Sequence, residues 1–411
     1  MSKKDVFRVD VLGRLCRHEM SQSGASTLLG VSVRQVRRLS ARFSVSASEI
    51  VHKGRGRPGP GRTSPEICAR VVALRSTKYS MCNDRDFSER LGEDEGIHLG
   101  REKVRQTLRA AGLEAKRKRR AGKHRTRREP RAREGELLQW DGSSHDCLSG
   151  RGPKLCLMGA VDDATGMLLP GAHFYLHECA QGYLRMLLSV AKMYGLPHAI
   201  YGDKCSSLRR NDDYWTLEEE AAGHQSPTHV GLALQTLGIE RIDAHSPQAK
   251  GRIERSWDTH QDRLVAALTL AGASTLEEAN KVLAEYIAKH NKRFKREPKS
   301  AEPAWRKVPE HIDLERVCAY RYEVTVDNAN TVRLGGKAGV VIDIKPGPGG
   351  RSYAKAKVDV YQTLDGAWLV DYDGQCIAKH ASTSVADLRC LRNPKKSAVG
   401  RARKSTMRKA A

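Results

Sequence analysis

The sequence predicts a multidomain protein with all-α helix-turn-helix modules at the N-terminus, a central α/β domain and a small β-barrel near the C-terminus. Three observations lead there. At 411 residues the chain is too long for one core, since domains cluster at about 100 to 150 residues. Its apolar periodicity is helical up to residue 113, alternates strand and helix from 136 to 310, and becomes short strands from 317 to 390. Segments rich in Gly, Pro or charge separate these regions.

The first module, 1–52, reads as helices at about 9–17, 23–29 and 32–43, with Gly30 ending the second as a left-handed cap. In the third, Val33, Val36, Leu39 and Phe43 point inward, leaving Arg34, Gln35, Arg37, Arg38 and Arg42 on the surface. Residues 53–64 contain KGRGRPGPGR, a flexible basic linker. A second trihelical block, 65–113, follows at about 65–79, 84–91 and 100–111. Its last helix keeps Val104, Leu108 and Ala111 inside and carries Arg101, Lys103, Arg105 and Arg109 outside. Two tethered blocks suit the reading of two adjacent stretches of duplex. A second basic linker, 114–135, leads into the α/β domain at 136–310, where strands are expected at 137–141, 155–161, 167–175 and 198–203, with a helix at 180–194. Strand-type runs such as GVVIDI and KAKVDVY mark the barrel at 317–390, and a basic tail occupies 391–411.

Charge narrows the partner. The chain carries 72 Lys+Arg against 48 Asp+Glu, a net +24, which calls for a polyanion, with nucleic acid first. Between Lys116 and Arg133, eleven of eighteen residues are basic and only Glu129 is acidic, so this stretch reads as a strap for the DNA backbone. No apolar run approaches the ~18 residues of a membrane span, and the first residues lack a signal-peptide core. A cytoplasmic, nucleoid-associated protein without a membrane partner is expected. The ten cysteines form no CxxC pair or Cys/His cluster, so neither a disulfide framework nor a zinc finger is predicted.

Candidate chemistry lies in three acids. Asp141 closes the apolar run LLQWD and Asp203 closes AIYGD, while Glu254 sits on an expected helix in SPQAKGRIERSWDTHQDRL, whose buried side is Ile253, Trp257 and Leu264. Hard divalent cations prefer such carboxylate oxygens. Asp162 and Asp163 in AVDDATG are read instead as turn-forming. Lys250, an i+4 neighbour of Glu254, and Arg252 either hold a DNA end or make surface ion pairs.

The succession QWDGS, VDDATG, YGDKCSSLRRN and SPQAKGRIERSWDTHQDRL resembles the catalytic core of integrase-type DDE transposases, nearest to the ISNCY-type insertion-sequence transposases, over almost the whole chain. That resemblance implies an RNase H-like central fold. It implies Asp141, Asp203 and Glu254 as catalytic metal ligands for two Mg²⁺ (or Mn²⁺) ions, cleaving DNA and transferring strands. The implied partners are double-stranded DNA, both the terminal inverted repeats of a mobile element and its target, and further copies of the chain in a homo-oligomer on DNA. Base and phosphate contacts are assigned to Arg34, Gln35, Arg37, Arg38, Arg101, Lys103 and Arg105, with Lys250 and Arg252 at the site. Two departures stand out: Asp203 and Glu254 are 51 positions apart, with a polar insert between Asp212 and Thr228, and Cys205 occupies a position where many relatives carry His. The competing reading is a catalytically inactive or regulatory helix-turn-helix protein derived from a transposase.

If the basic strap touches phosphates, replacing Lys116 to Arg120 with Ala lowers the slope of log affinity against log salt by about 0.9 per lost contact and leaves the ranking of DNA sequences unchanged. Binding titrations across a salt series measure it, and an unaltered slope makes the strap a mere linker.

Overall fold

Serine caps and one left-handed glycine set the N-terminal helices. Ser21 caps α2 (Gln22–Leu29) by accepting the Gly24 amide, and Ser32 caps α3 (Val33–Val45) by accepting that of Gln35. Gly30, at φ 62°, closes α2 between them. With α1 (Lys3–Cys16) they enclose two small clusters, Val11, Ala25 and Val36 in one and Leu12, Leu39 and Ile50 in the other. The computed structural model describes residues 3–50, 63–116, 128–203, 205–210, 215–243, 251–335 and 339–381. Its chain divides into two compact units, Met1–Arg70 and Val71–Ala411. The Gly/Pro linker up to residue 62, most of the basic strap, Lys250 and the basic tail lie outside the described residues.

Three helices follow, α4 (Pro65–Ser76), α5 (Asp84–Glu93) and α6 (Arg101–Ala110). Next comes a five-stranded sheet of β1 (Leu137–His145), β2 (Leu155–Asp162), β3 (His173–Tyr175), β4 (Ala199–Gly202) and β5 (Glu240–Asp243) in the order β3-β2-β1-β4-β5. The first three strands are antiparallel neighbours, whereas β4 runs parallel to β1, and β5 parallel to β4. The expected third strand begins later than its apolar run, because residues 167–169 fold back on β2 instead, with the Leu169 amide bonded to Ala160 O at 2.8 Å. All eight residues of β2 are buried, as a strand covered on both faces requires. One face packs Leu138, Trp140 and Met158 on α7 (Ala180–Met193) and α9 (His229–Thr236). The other packs Leu157, Val161 and Phe174 on α10 (Gly251–Leu270) and α11 (Leu276–Phe294). A short α8 (Leu217–Ala222), closed by a Thr216–Glu219 capping box, lies in the polar insert.

The second helical block is fastened to α10 and α11 rather than hung on a tether. Ala266 of α10 enters the cluster of Val71, Phe87, Leu91, Val104 and Leu108. Beside it, buried Arg263 reaches Asp86 at 3.2 Å and Glu89 at 2.6 Å, and Arg293 reaches Glu89 at 2.7 Å. Although burial opposes ionisation, Arg263 and Arg293 hold the Glu89 carboxyl below its usual range.

After the short helix α12 (Leu314–Val317), the C-terminal strands depart from the expected barrel. β6 (Tyr320–Thr325), β9 (Lys357–Gln362), β10 (Trp368–Tyr372) and β11 (Gln375–His380) make an open sheet, β11-β10-β9-β6, while β7 (Thr331–Leu334) and β8 (Val340–Asp343) form a separate ribbon. Val332, Leu334 and Ile342 of the ribbon lie over Val358, Val360 and Trp368 of the sheet. Side-chain packing closes this core where a barrel would need backbone pairing around the circuit.

Between α10 and α11 runs a column of rings. His260 lies 4.3 Å from His290 and 5.7 Å from Trp257, centre to centre, and Tyr286 hydroxyl bridges His260 Nδ1 (3.0 Å) and His290 Nδ1 (3.2 Å). Burial, then the Arg263 and Arg293 charges, push the His290 pKa down to about 4; burial, then His290, push that of His260 well below its ordinary value. Because the unfolded histidine takes up its proton near pH 6.5, the folded state is penalised as pH falls from there toward 4. His290→Gln therefore flattens the loss of stability between pH 6.5 and 4, by a few kcal/mol at about 1.4 kcal/mol per pKa unit. Urea unfolding at a series of pH values checks this; parallel profiles for both proteins contradict it.

Candidate functional site

The site is built on neighbouring parallel strands. β1 and β4 pair Leu137 with Ala199, Leu138 with Ile200 and Gln139 with Tyr201. Asp141 and Asp203 each stand two residues beyond the last of these pairs, at one level. Asp141 does not end its strand: β1 continues to His145, and Asp141 faces Gly159 across the antiparallel β2. Both carboxylates are half-buried.

The third predicted acid stands on helix α10, and among the described residues its carboxylate does not join those of Asp141 and Asp203 in a group of ligand atoms within 4.8 Å of one another. Glu254 lies exposed in its first turn, and three residues on the buried Trp257 donates its indole N–H to Asp141 Oδ2 at 3.0 Å. The helix start is held by Gln139, a fully buried side chain whose Oε1 accepts the Ile253 amide at 3.1 Å. That amide is one of the first-turn donors a helix cannot satisfy itself. Gln139 Nε2 in turn donates to Asp163 Oδ1 at 2.7 Å.

Asp163 departs from its expected role. Of the two acids read as turn-forming, Asp162 does shape the turn, accepting the Thr165 amide and hydroxyl at 2.8 Å each. Asp163 is a buried hub that also takes Arg128 Nη2 at 2.5 Å, the Arg131 amide at 2.8 Å and Arg252 Nε at 2.9 Å. Arg252 is therefore directed at a buried carboxylate instead of the surface, and it further donates to Arg128 O at 3.1 Å. Lys250 lies outside the described residues.

Glu178, which the sequence did not flag, adds a ligand-type group. Among the described residues, the ligand atoms of Glu178, Asp203 and Cys205 all lie within 4.8 Å of one another. Tyr183 donates to Glu178 Oε1 at 2.5 Å, the Cys205 thiol points to Tyr183 Oη at 3.9 Å, and the Cys205 amide bonds Asp203 Oδ1 at 3.1 Å. Burial, reinforced by Glu178, pushes the Cys205 thiol up to about 12, so it is neutral at physiological pH. Two carboxylates with a protonated thiol suit a hard, oxygen-seeking cation better than a thiophilic one. Glu178 carries no periodicity signal, because it stands in the irregular segment just before α7.

The remaining predicted residues lie on two helices. Arg34, Arg37 and Arg38 are exposed on α3, Gln35 is half-buried there, and Arg37 donates to Gln22. On α6, Arg101 and Arg105 are exposed and Lys103 half-buried, with Arg105 paired to Glu102 at 2.6 Å.

By sequence the chain is a relative of the transposases. It is 37% identical over 298 residues to "Putative transposase y4bF" of Sinorhizobium fredii, covering 72% of this chain and 63% of that one. It is 26% identical over 358 residues to the transposase for insertion sequence IS1202 of Streptococcus pneumoniae, covering 79% and 75%. The match thus spans just under two thirds of the first relative's length. No protein-family model matches the chain. A simian T-cell lymphotropic virus intasome, solved in complex with PP2A regulatory subunit B56 gamma, superposes with a TM-score of 0.31 at 12% identity, covering 66% of this chain and 94% of that one. Among the described residues no helix is long and apolar enough to cross a membrane.

Asp163→Ala strips four donors of their buried acceptor, and breaking a buried charged pair costs about 3 to 5 kcal/mol. The variant loses stability on that scale, and hydrogen exchange quickens first at residues 252–256. Unchanged exchange there contradicts the anchoring role of Asp163.

Proposed function

We propose that this chain is a DDE-type transposase of the ISNCY kind. It binds the terminal inverted repeats of an insertion sequence, cuts the element ends and joins them to target DNA, with Asp141, Asp203 and Glu254 as its catalytic acids. One observation carries this reading: Asp141 within β1 and Asp203 just past the end of the parallel β4 stand at one level, with the helix bearing the third acid hydrogen-bonded to the first through Trp257. The strand order β3-β2-β1-β4-β5, antiparallel in its first half, is that of RNase H-like cores and adds support, as do the relatives named as transposases.

The donor set fits Mg²⁺ or Mn²⁺, held by Asp141, Asp203 and Glu254 with Glu178 close by. When bound, two such ions would activate the attacking oxygen and stabilise the leaving one. The chain's own part is position: a rigid strand pair and an anchored helix keep the acids in place while the 3′-hydroxyl of the element end lines up with a target phosphate. No covalent protein intermediate is formed. DNA recognition falls to Arg34, Gln35, Arg37 and Arg38 on α3 and to Arg101, Lys103 and Arg105 on α6, each the last α-helix of its helical module, and a homo-oligomer of the chain synapses the two ends.

Asp141→Asn, Asp203→Asn and Glu254→Gln each preserve shape but remove a hard anionic ligand. Joining of a labelled element end to plasmid in Mg²⁺ should fall by about 10³-fold or more, several kcal/mol of lost stabilisation, while end binding persists. Groups acting as a unit are non-additive, so Asp141→Asn with Glu254→Gln is little worse than either alone. Asp258→Asn, on an exposed site of α10, keeps activity. Joining that survives Glu254→Gln, or vanishes with Asp258→Asn, removes Glu254 from the site.

A further inference from the structure

We infer that Trp257 is a positioning residue for the Asp141 carboxylate and so sets the affinity of the site for its divalent cation; this rests on the reading of Asp141 as a metal-binding acid. Three observations converge. The indole N–H lies 3.0 Å from Asp141 Oδ2, and an indole is a donor only, so it can hold the carboxylate without competing as a ligand. The ring is itself locked: Trp257 is 5% exposed and packs in the core of α10, α11 and β2. Finally, the strand residue opposite Asp141 is Gly159, where a Cβ would lie 2.8 Å from Trp257 Cη2 and 3.0 Å from Leu168 Cδ1. The lack of a side chain at that register position is what lets the ring lie across β2 and reach β1.

Trp257 is also three residues from Glu254, on a neighbouring position of the same helix surface. The bond therefore fixes the helix bearing one acid against the strand bearing another. Groups that orient metal ligands from outside typically alter metal affinity by about 10- to 100-fold when removed. Their removal leaves the ligand set intact.

Calorimetric titration of the full chain with Mn²⁺, without DNA, tests this in wild type, Trp257→Phe and Asp141→Asn. Trp257→Phe keeps an aromatic ring and removes the donor; Mn²⁺ binding about 10- to 100-fold weaker, with still weaker or absent binding in Asp141→Asn, supports the inference. Wild-type affinity in Trp257→Phe together with lost binding in Asp141→Asn overturns the positioning role alone. Wild-type affinity in Asp141→Asn overturns the reading of Asp141, and the inference falls with it. Because the Phe variant can lose its fold, wild type is also examined directly. Of its five tryptophans, one indole N–H resonance should move on Mg²⁺ addition with the concentration dependence of binding, and stay still in Asp141→Asn. An indole spectrum unmoved by Mg²⁺ in wild type overturns the inference.

Discussion

The buried carboxylate of Asp163 is the interaction on which the site depends. A fully buried charge is tolerable only when paired and hydrogen-bonded, and here the donors come from the strap (Arg128 and the Arg131 amide), from β1 (Gln139) and from α10 (Arg252). Three segments far apart in sequence must therefore converge before the charge is satisfied. Gln139 extends this to the Ile253 amide, so the same network fixes where α10 begins and how Trp257 meets Asp141 of β1. Asp141 within β1 and Asp203 just past β4 are placed by sheet register, and Glu254 by this anchor.

Farther along, α10 serves a second purpose. Arg263 and Ala266 hold the helical block of α4 to α6, the first through Asp86 and Glu89 and the second through the block's apolar core. One helix thus carries the candidate site at its start and the block past its middle, about 15 Å away at 1.5 Å per residue. Since Arg263 and Asp86 are both buried, that attachment resists salt more than a surface pair does. Position of the block relative to the site is a built-in distance, unlike that of a module on a flexible linker.

What was legible in the sequence was local. Gly30 announces the end of α2 through its left-handed backbone, and the apolar spacing of Val36 and Leu39 gives the inner face of α3. Asp141 and Asp203 stood out because both follow apolar strand residues, although GSSH hid the continuation of β1, which past Gln139 is carried by its pairing with β2. Long-range contacts were not legible. Asp163 looks like a turn residue because its partners stand 24 to 89 positions away, and Glu178 joins Asp203 and Cys205 only through folding. The open sheet and ribbon in place of a barrel have the same origin, since strand patterning fixes which face is buried and leaves the pairing circuit undetermined.

The same distinction governs how the basic excess is read. Net charge counts every Arg alike, yet Arg252 lies on the buried Asp163 and Arg263 on the buried Asp86 beside the half-buried Glu89, so neither can turn to a phosphate without stranding a carboxylate in the interior. Arg105 differs, because its Glu102 partner is as exposed as itself, and an ion pair in water is weak enough for a phosphate to replace the carboxylate. Arg34 and Arg38, exposed on α3, need displace less still. Burial of the acidic partner therefore divides these arginines: those beside interior acids hold α10 and its attached block in place, and those on α3, and separately those on α6, leave positive charge exposed to solvent.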